Sequence, residues 1–216
     1  MTTFIAVASG KGGVGKTTSA INLGCALTNF GYDVVVVDTN LATPHVGMHL
    51  GSPRLKHTIN DALNGVKDIK ETAFLHPSGL RIIGADISRN SDPKQYRKIG
   101  SVLADLDGTC DIIILDSPAG AWDESSHIFK SAHEVVVVTT PDLPAVSDAL
   151  KTIILAQDSG ANIAGVIINQ SSGDKSEMTK RNIEKMLEKP VIGVVPQDIH
   201  ARRALSLKQP VVFAYP

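Results

Sequence analysis

A chain of 216 residues, 43% hydrophobic and 20% charged, holds enough apolar material for one substantial core. Its 21 Lys and Arg against 22 Asp and Glu leave a formal net charge of −1, which supplies no overall field toward nucleic acid or anionic lipid. No run of about 20 apolar residues is present to span a bilayer, and the opening MTTFIAVASGKGG has neither the charged region nor the apolar length of a secretory leader, so a soluble cytoplasmic protein is expected.

In chain order, short runs of Val, Ile and Leu fall at residues 4–8, 34–37, 80–83, 112–115, 135–138, 163–168 and 191–195. They are continuous rather than alternating in polarity, the pattern of strands buried on both faces, and helical patterns separate them. A single α/β domain over residues 1–216 is therefore predicted, with a mostly parallel twisted sheet between helical layers. Thr58 and Asp61 have the spacing of a capping box, and Asp92-Pro93 puts a capping acid before a proline at a helix start. Pro144 opens a helix toward Gln157, and Lys189-Pro190 closes one begun near Ser176. His45, Gly47, Gly51 and Pro53 mark an irregular surface loop, while residues 211–214 read as strand-like. Cys25 and Cys110 form no C-x-x-C pair and read as structural thiols inside the fold. His45, His49 and His57, like Asp123 with His127, lack a closed metal-ligand pattern, and Trp122 reads either as a partner anchor or as a packed aromatic.

The most specific signal lies between the first apolar run and the helical pattern that follows it. Gly10-Lys11-Gly12-Gly13-Val14-Gly15-Lys16-Thr17 matches G-x-x-x-x-G-K-[ST]. Glycines let the backbone wrap so that successive N–H groups face phosphate oxygens, and the helix N-terminus adds positive potential. Lys16 then neutralises the β and γ phosphates, and the Thr17 hydroxyl is placed to bind Mg²⁺. Residues 10–17 and Thr18 are thus the expected contacts to ATP or ADP. Asp116, at the end of the run in DIIILDSPAG, has the place of a Walker B carboxylate that holds Mg²⁺, since an unpaired buried acid is costly. Asn169 ends another run with an amide that can donate to and accept from a base edge, and Pro196 and Asp198 end the next; helix caps and turn residues are the competing readings for Asn169 and Asp198.

KGGVGKTT resembles the deviant Walker A motif of the MinD/ParA family of ATPases, and the resemblance extends over nearly the whole chain. It implies that Lys11, surplus to the needs of one phosphate loop, reaches across a dimer interface to the partner's nucleotide. DSPAG is similar to the γ-phosphate-sensing segment of MinD proteins, and Asn169, Pro196 and Asp198 resemble the family's adenine-contacting positions. The family usually carries D-x-D where this chain has Asp38-Thr39-Asn40: the first acid helps hold the Mg²⁺ water shell and the second orients the attacking water. An amide at Asn40 cannot take a proton, so turnover is expected to be slow unless another group assists. The surrounding LATPH run differs from common bacterial forms, which favours a natural variant over a replacement made to trap ATP.

The resemblance further implies an ATP-dependent homodimer, an activating or regulatory protein, and a role in division-site placement or cargo positioning at the inner face of the membrane. MinD proteins end in an amphipathic targeting helix, and the sequence closes at PVVFAYP without a basic amphipathic segment, so truncation is the expectation. Three rivals stand beside this reading: a ParA-type switch binding nonspecific DNA, which the balanced charge disfavours; a metallocentre-maturation relative, which calls for paired cysteines; and a nucleotide-bound scaffold that does not hydrolyse.

Overall fold

The computed structural model describes residues 1–88, 92–120 and 123–216 and alternates strands with helices; Trp122 lies outside the described residues. From the N-terminus run β1 (Thr3–Ser9), α1 (Lys16–Asn29), β2 (Val34–Asp38), α2 (Val46–His49), α3 (Ile59–Leu63), β3 (Phe74–Leu75), β4 (Arg81–Ile83) and α4 (Pro93–Ala104). There follow β5 (Ile112–Ala119), α5 (Asp123–Phe129), β6 (Glu134–Thr139), α6 (Leu143–Asp158), β7 (Asn162–Ser171), α7 (Lys180–Leu187), β8 (Val191–Pro196), α8 (Ile199–Ser206) and α9 (Val211–Ala214).

The strands form one sheet in the order β3-β4-β2-β5-β1-β6-β7-β8. All pairs are parallel except β3 with β4. Each of the seven apolar runs becomes a strand; the inner ones are buried between helical layers, whereas Ile192, Val194 and Val195 of the edge strand β8 stay exposed. The pleat divides the strands between two cores. Ala6, Ala8, Val35, Val37, Ile113 and Leu115 face a core shared with α3 to α7, whereas Val7, Val34, Val36 and Ile114 face one shared with α1 and α2. Both cysteines are free; Cys25 is fully buried on α1, but Cys110 is only half-buried before β5.

Several helix starts follow local chemistry. The Asp92 carboxylate accepts the Lys94 N–H at 2.9 Å, with Pro93 in the first turn of α4, and the Asp142 carboxylate accepts the Ala145 N–H at 3.0 Å at the head of α6. At α3 the Thr58 N–H donates to the Asp61 carboxylate at 3.0 Å. Among the described residues, no helix is long and apolar enough to cross a membrane.

Three expectations need correction. Residues 211–214 form α9, not a strand: Pro210 caps it, the Val212 N–H donates to Asn22 Oδ1 at 3.1 Å, and packing on α1 overrides the β-branched preference. The helix expected near Ser176 begins at Lys180 behind the cap Thr179, because Glu177 is engaged by Ser171, Ser172 and Gly173. The stretch after β2 contains α2, whose first residue Val46 and C-terminal neighbour Leu50 are buried. The strand β3 is two residues long and shows no periodicity of its own.

Candidate active site

The site forms where β1, β2 and β5 end side by side. Val7 and Asp38 both stand opposite Asp116 in register, so the parallel sheet brings the phosphate loop and two acids to one edge.

The loop between β1 and α1 depends on glycine where other chain elements approach. Gly15 has φ +90°, and a Cβ there would lie 2.1 Å from Asn169 Nδ2. A Cβ on Gly10 would lie 2.2 Å from the Asp148 carbonyl of α6. The end of β7 then holds the loop's carbonyls: Asn169 Nδ2 donates to Val14 O at 2.7 Å, and Gln170 Nε2 to Gly13 O at 3.1 Å. Helix α1 begins at Lys16, and its first-turn N–H groups have no partner within the helix.

Lys16 is 7% exposed and its Nζ lies 2.7 Å from Asp116 Oδ1; the Thr17 hydroxyl donates to Asp116 Oδ2 at 2.7 Å. The two buried charges are tolerable because they are paired. Beside them Asp38 is fully buried, with Oδ1 accepting the Asn40 N–H at 3.1 Å and Oδ2 the His45 and Val46 N–H groups at 2.9 Å each. Burial, and then the Asp116 charge, push its carboxyl up to about 7 against the pull of the Val46 and Asn40 amides and Lys16. Asn40 is turned into its own loop: Nδ2 donates to Thr43 O at 2.7 Å and Thr43 Oγ1 at 2.9 Å, while Oδ1 accepts the Thr43 N–H at 3.2 Å.

A cavity of about 780 Å³ opens over these groups, lined among others by Lys11, Lys16, Thr17, Asn40, Glu124 and Gln170. Gly12, Gly13, Gly15 and Thr18 line it too, while Val14 points into the core. Lys11 stands apart from Lys16: its side chain is half exposed, and Nζ lies 3.7 Å from Asp142 Oδ1, toward a neighbouring cavity of about 470 Å³. Burial raises the Asp142 carboxyl, but the Thr140 hydroxyl, the Ala145 amide and Lys11 hold it below the ordinary carboxylate value.

The structure does not bring every predicted residue to the cavity. Pro196 is exposed at the end of β8, and Asp198 caps α8 by accepting the His200 N–H at 2.8 Å, which is the cap reading of that residue. Conversely, Gln170, Tyr96 and Glu124 line the cavity without having been singled out. Gln170 follows Asn169 at the strand end, and Glu124 opens the helix after DSPAG; those positions were the available signals. Tyr96 carried none, since its hydroxyl reaches the site by accepting the Leu41 N–H at 3.0 Å across the fold.

The donor set suits Mg²⁺. Thr17 and Asp116 present a hydroxyl and a carboxylate in contact, hard oxygen ligands of the kind that ion takes. When bound it would offset the negative charge of the nucleotide's phosphates.

The sequence profile of the ParA family, described as an NUBPL iron-transfer P-loop NTPase, matches residues 1–216. The chain belongs to the ParA family. It stands close to MinD within it. An ATP-binding protein of Methanocaldococcus jannaschii is 39% identical over 220 aligned positions, covering 100% of this chain and 82% of that protein. The septum site-determining protein MinD of Thermotoga maritima is 35% identical over 205 positions, 91% of this chain and 76% of its own. The structure of MinD from Pyrococcus horikoshii, complexed with Mg-ADP, superposes with a TM-score of 0.91 at 27% identity, covering 100% of this chain and 90% of that one. Membership makes this ParA-family chain an ATP-binding P-loop ATPase.

Proposed function

We propose that this chain is an ATP-operated dimerisation switch of the MinD type. Residues 10–18 wrap the nucleotide's phosphates, Lys16 neutralises the β and γ groups, and Thr17 and Asp116, with Asp38 through water, hold Mg²⁺. Lys11 reaches the nucleotide of a second copy, as an arginine finger supplied in trans does, so that two copies close only around ATP. Asn169 contacts adenine. The ATP-bound dimer engages a regulatory protein and a membrane surface at the cytoplasmic side, and hydrolysis releases it. The cellular outcome is placement of the division site or of other cargo.

The observation that carries this reading is the division of labour between the two loop lysines. Lys16 is buried on Asp116, whereas Lys11 is held outward at the cavity mouth by an exposed contact to Asp142. Such a contact is weak and readily exchanged for a phosphate. Turnover is slow, because the amide of Asn40 carries no charge and is occupied by Thr43.

Light scattering and ATP turnover, each with ATP and with ADP, test the switch. Monomer with ADP and dimer with ATP is expected. A monomer under both conditions would sink it.

A further inference from the structure

Water that attacks a γ-phosphate needs a group to orient it and accept its proton. The acids first expected here are occupied. Both Asp116 oxygens are taken by Lys16 and Thr17, and both Asp38 oxygens by the amides of Asn40, His45 and Val46. Asp142 is engaged with Lys11 and the start of α6.

Among the described residues, one acidic side chain lines the cavity. Glu124 is half-buried and makes no hydrogen bond or ion pair among the described residues. Its neighbour Ser125 is tied through Gly120 to the phosphate-loop strand. The Gly120 N–H donates to Ser9 O at 2.8 Å, and the Ser125 hydroxyl, next to Glu124, donates to Gly120 O at 3.0 Å. Across the cavity Glu124 neighbours Tyr96, whose hydroxyl feels the carboxylate charge and accepts the N–H of Leu41, the residue after Asn40. Glu124 thus lines one cavity with Ser9 at the end of β1 and with Asn40, its carboxylate unpaired among the described residues.

We propose that Glu124 is the catalytic carboxylate that orients the attacking water and accepts its proton. The assignment rests on the reading of this cavity as an ATPase site. The water oxygen forms a bond to the γ-phosphorus as the bond from that phosphorus to the β–γ bridging oxygen breaks. The bridging oxygen leaves on ADP with the electron pair. One water proton passes to Glu124 and on to solvent, and the other stays on the released phosphate. His45 and His49 line the same cavity, but the Nδ1 of His49 is engaged with His45 O at 2.9 Å, and neither is tied to the end of β1.

The test uses the full chain as wild type, Glu124→Gln, Glu124→Asp and His49→Gln. It follows steady-state ATP turnover against pH, ADP affinity by titration, and ATP-driven assembly by light scattering. Glu124→Gln should lower kcat by roughly a hundredfold and abolish the acid limb of the pH profile. ADP affinity and KM should stay unchanged, and the ATP-bound assembly should persist longer. Glu124→Asp should recover part of the rate, and His49→Gln should keep it. Unchanged kcat in Glu124→Gln beside an active wild type overturns the assignment alone, as does an equal loss of ADP affinity, which marks a structural role. A wild type that turns over no ATP overturns the ATPase reading as well.

Discussion

Lys16 Nζ and Asp116 Oδ1 lie 2.7 Å apart, with both side chains buried and 100 residues of sequence between them. The pair welds α1 to β5. Asp116→Ala leaves the Lys16 ammonium without its counter-ion and the Thr17 hydroxyl without its acceptor. Removing one partner of a buried pair costs about 3–5 kcal/mol, and the open cavity beside Lys16 favours the lower end. The denaturant midpoint should drop accordingly, and ATP binding should lose its dependence on Mg²⁺. A variant of wild-type stability with intact Mg²⁺ dependence would contradict this account of Asp116.

Lys11→Ala separates assembly from binding. Its contact to Asp142 is half exposed, so its loss costs under about 1 kcal/mol. ATP affinity should survive because Lys16 remains, while the ATP-dependent dimer disappears in sedimentation. Loss of ATP binding with dimerisation intact would reverse the roles given to the two lysines.

Asn169→Ala asks what the β7 amide does. Its Nδ2 holds Val14 O, so pyrophosphate, which has no base, should bind more weakly when the loop is released. ADP should lose more than pyrophosphate, and the excess measures the adenine contact. Equal losses in calorimetric titrations would confine Asn169 to loop anchoring.

Asn40→Asp opposes two acceptors. A carboxylate oxygen would replace the Nδ2 that donates to Thr43 O at 2.7 Å, next to Asp38 and Asp116. A cost of about 1–3 kcal/mol is expected in urea unfolding, the price of a lost partner at a buried group. Turnover should rise, since a carboxylate released from Thr43 faces the cavity and can accept a proton. A folded variant with no rate gain would remove position 40 from the chemistry.

Asp38 sets a pH dependence in the nucleotide-free protein. Its folded value of about 7 stands above the ordinary 3.8, so between these values the folded state holds a proton that the unfolded state has released. The contribution is therefore fullest below the unfolded value and is lost as pH climbs through the folded one, by at most about 1.4 kcal/mol per pH unit. Unfolding midpoints should fall across that window in the wild type and flatten in Asp38→Asn. A wild-type midpoint that rises there would mean that the three amides outweigh burial.

Sequence alone determined seven of the eight strands, their parallel arrangement and the glycine-rich loop. Those features rest on local chemistry: continuous apolar runs, glycines at fixed spacing and a lysine before a hydroxyl. The helix starts at Asp92 and Thr58 were legible for the same reason, since each cap lies within a few residues of the N–H it accepts or exchanges. Only the tertiary structure decided the fate of residues 211–214, where contact with α1 outweighed a β-branched preference. It also decided that Asn40 turns to Thr43, that Asp198 caps a helix, and that Tyr96 and Glu124 reach the cavity. The positions of Tyr96 and Glu124 depend on strand order and helix packing, which place distant residues side by side. A composition or a spacing carries no record of such neighbours, so the glycine-rich loop and its lysines could be read from the sequence, while the groups that surround them had to be seen in the fold.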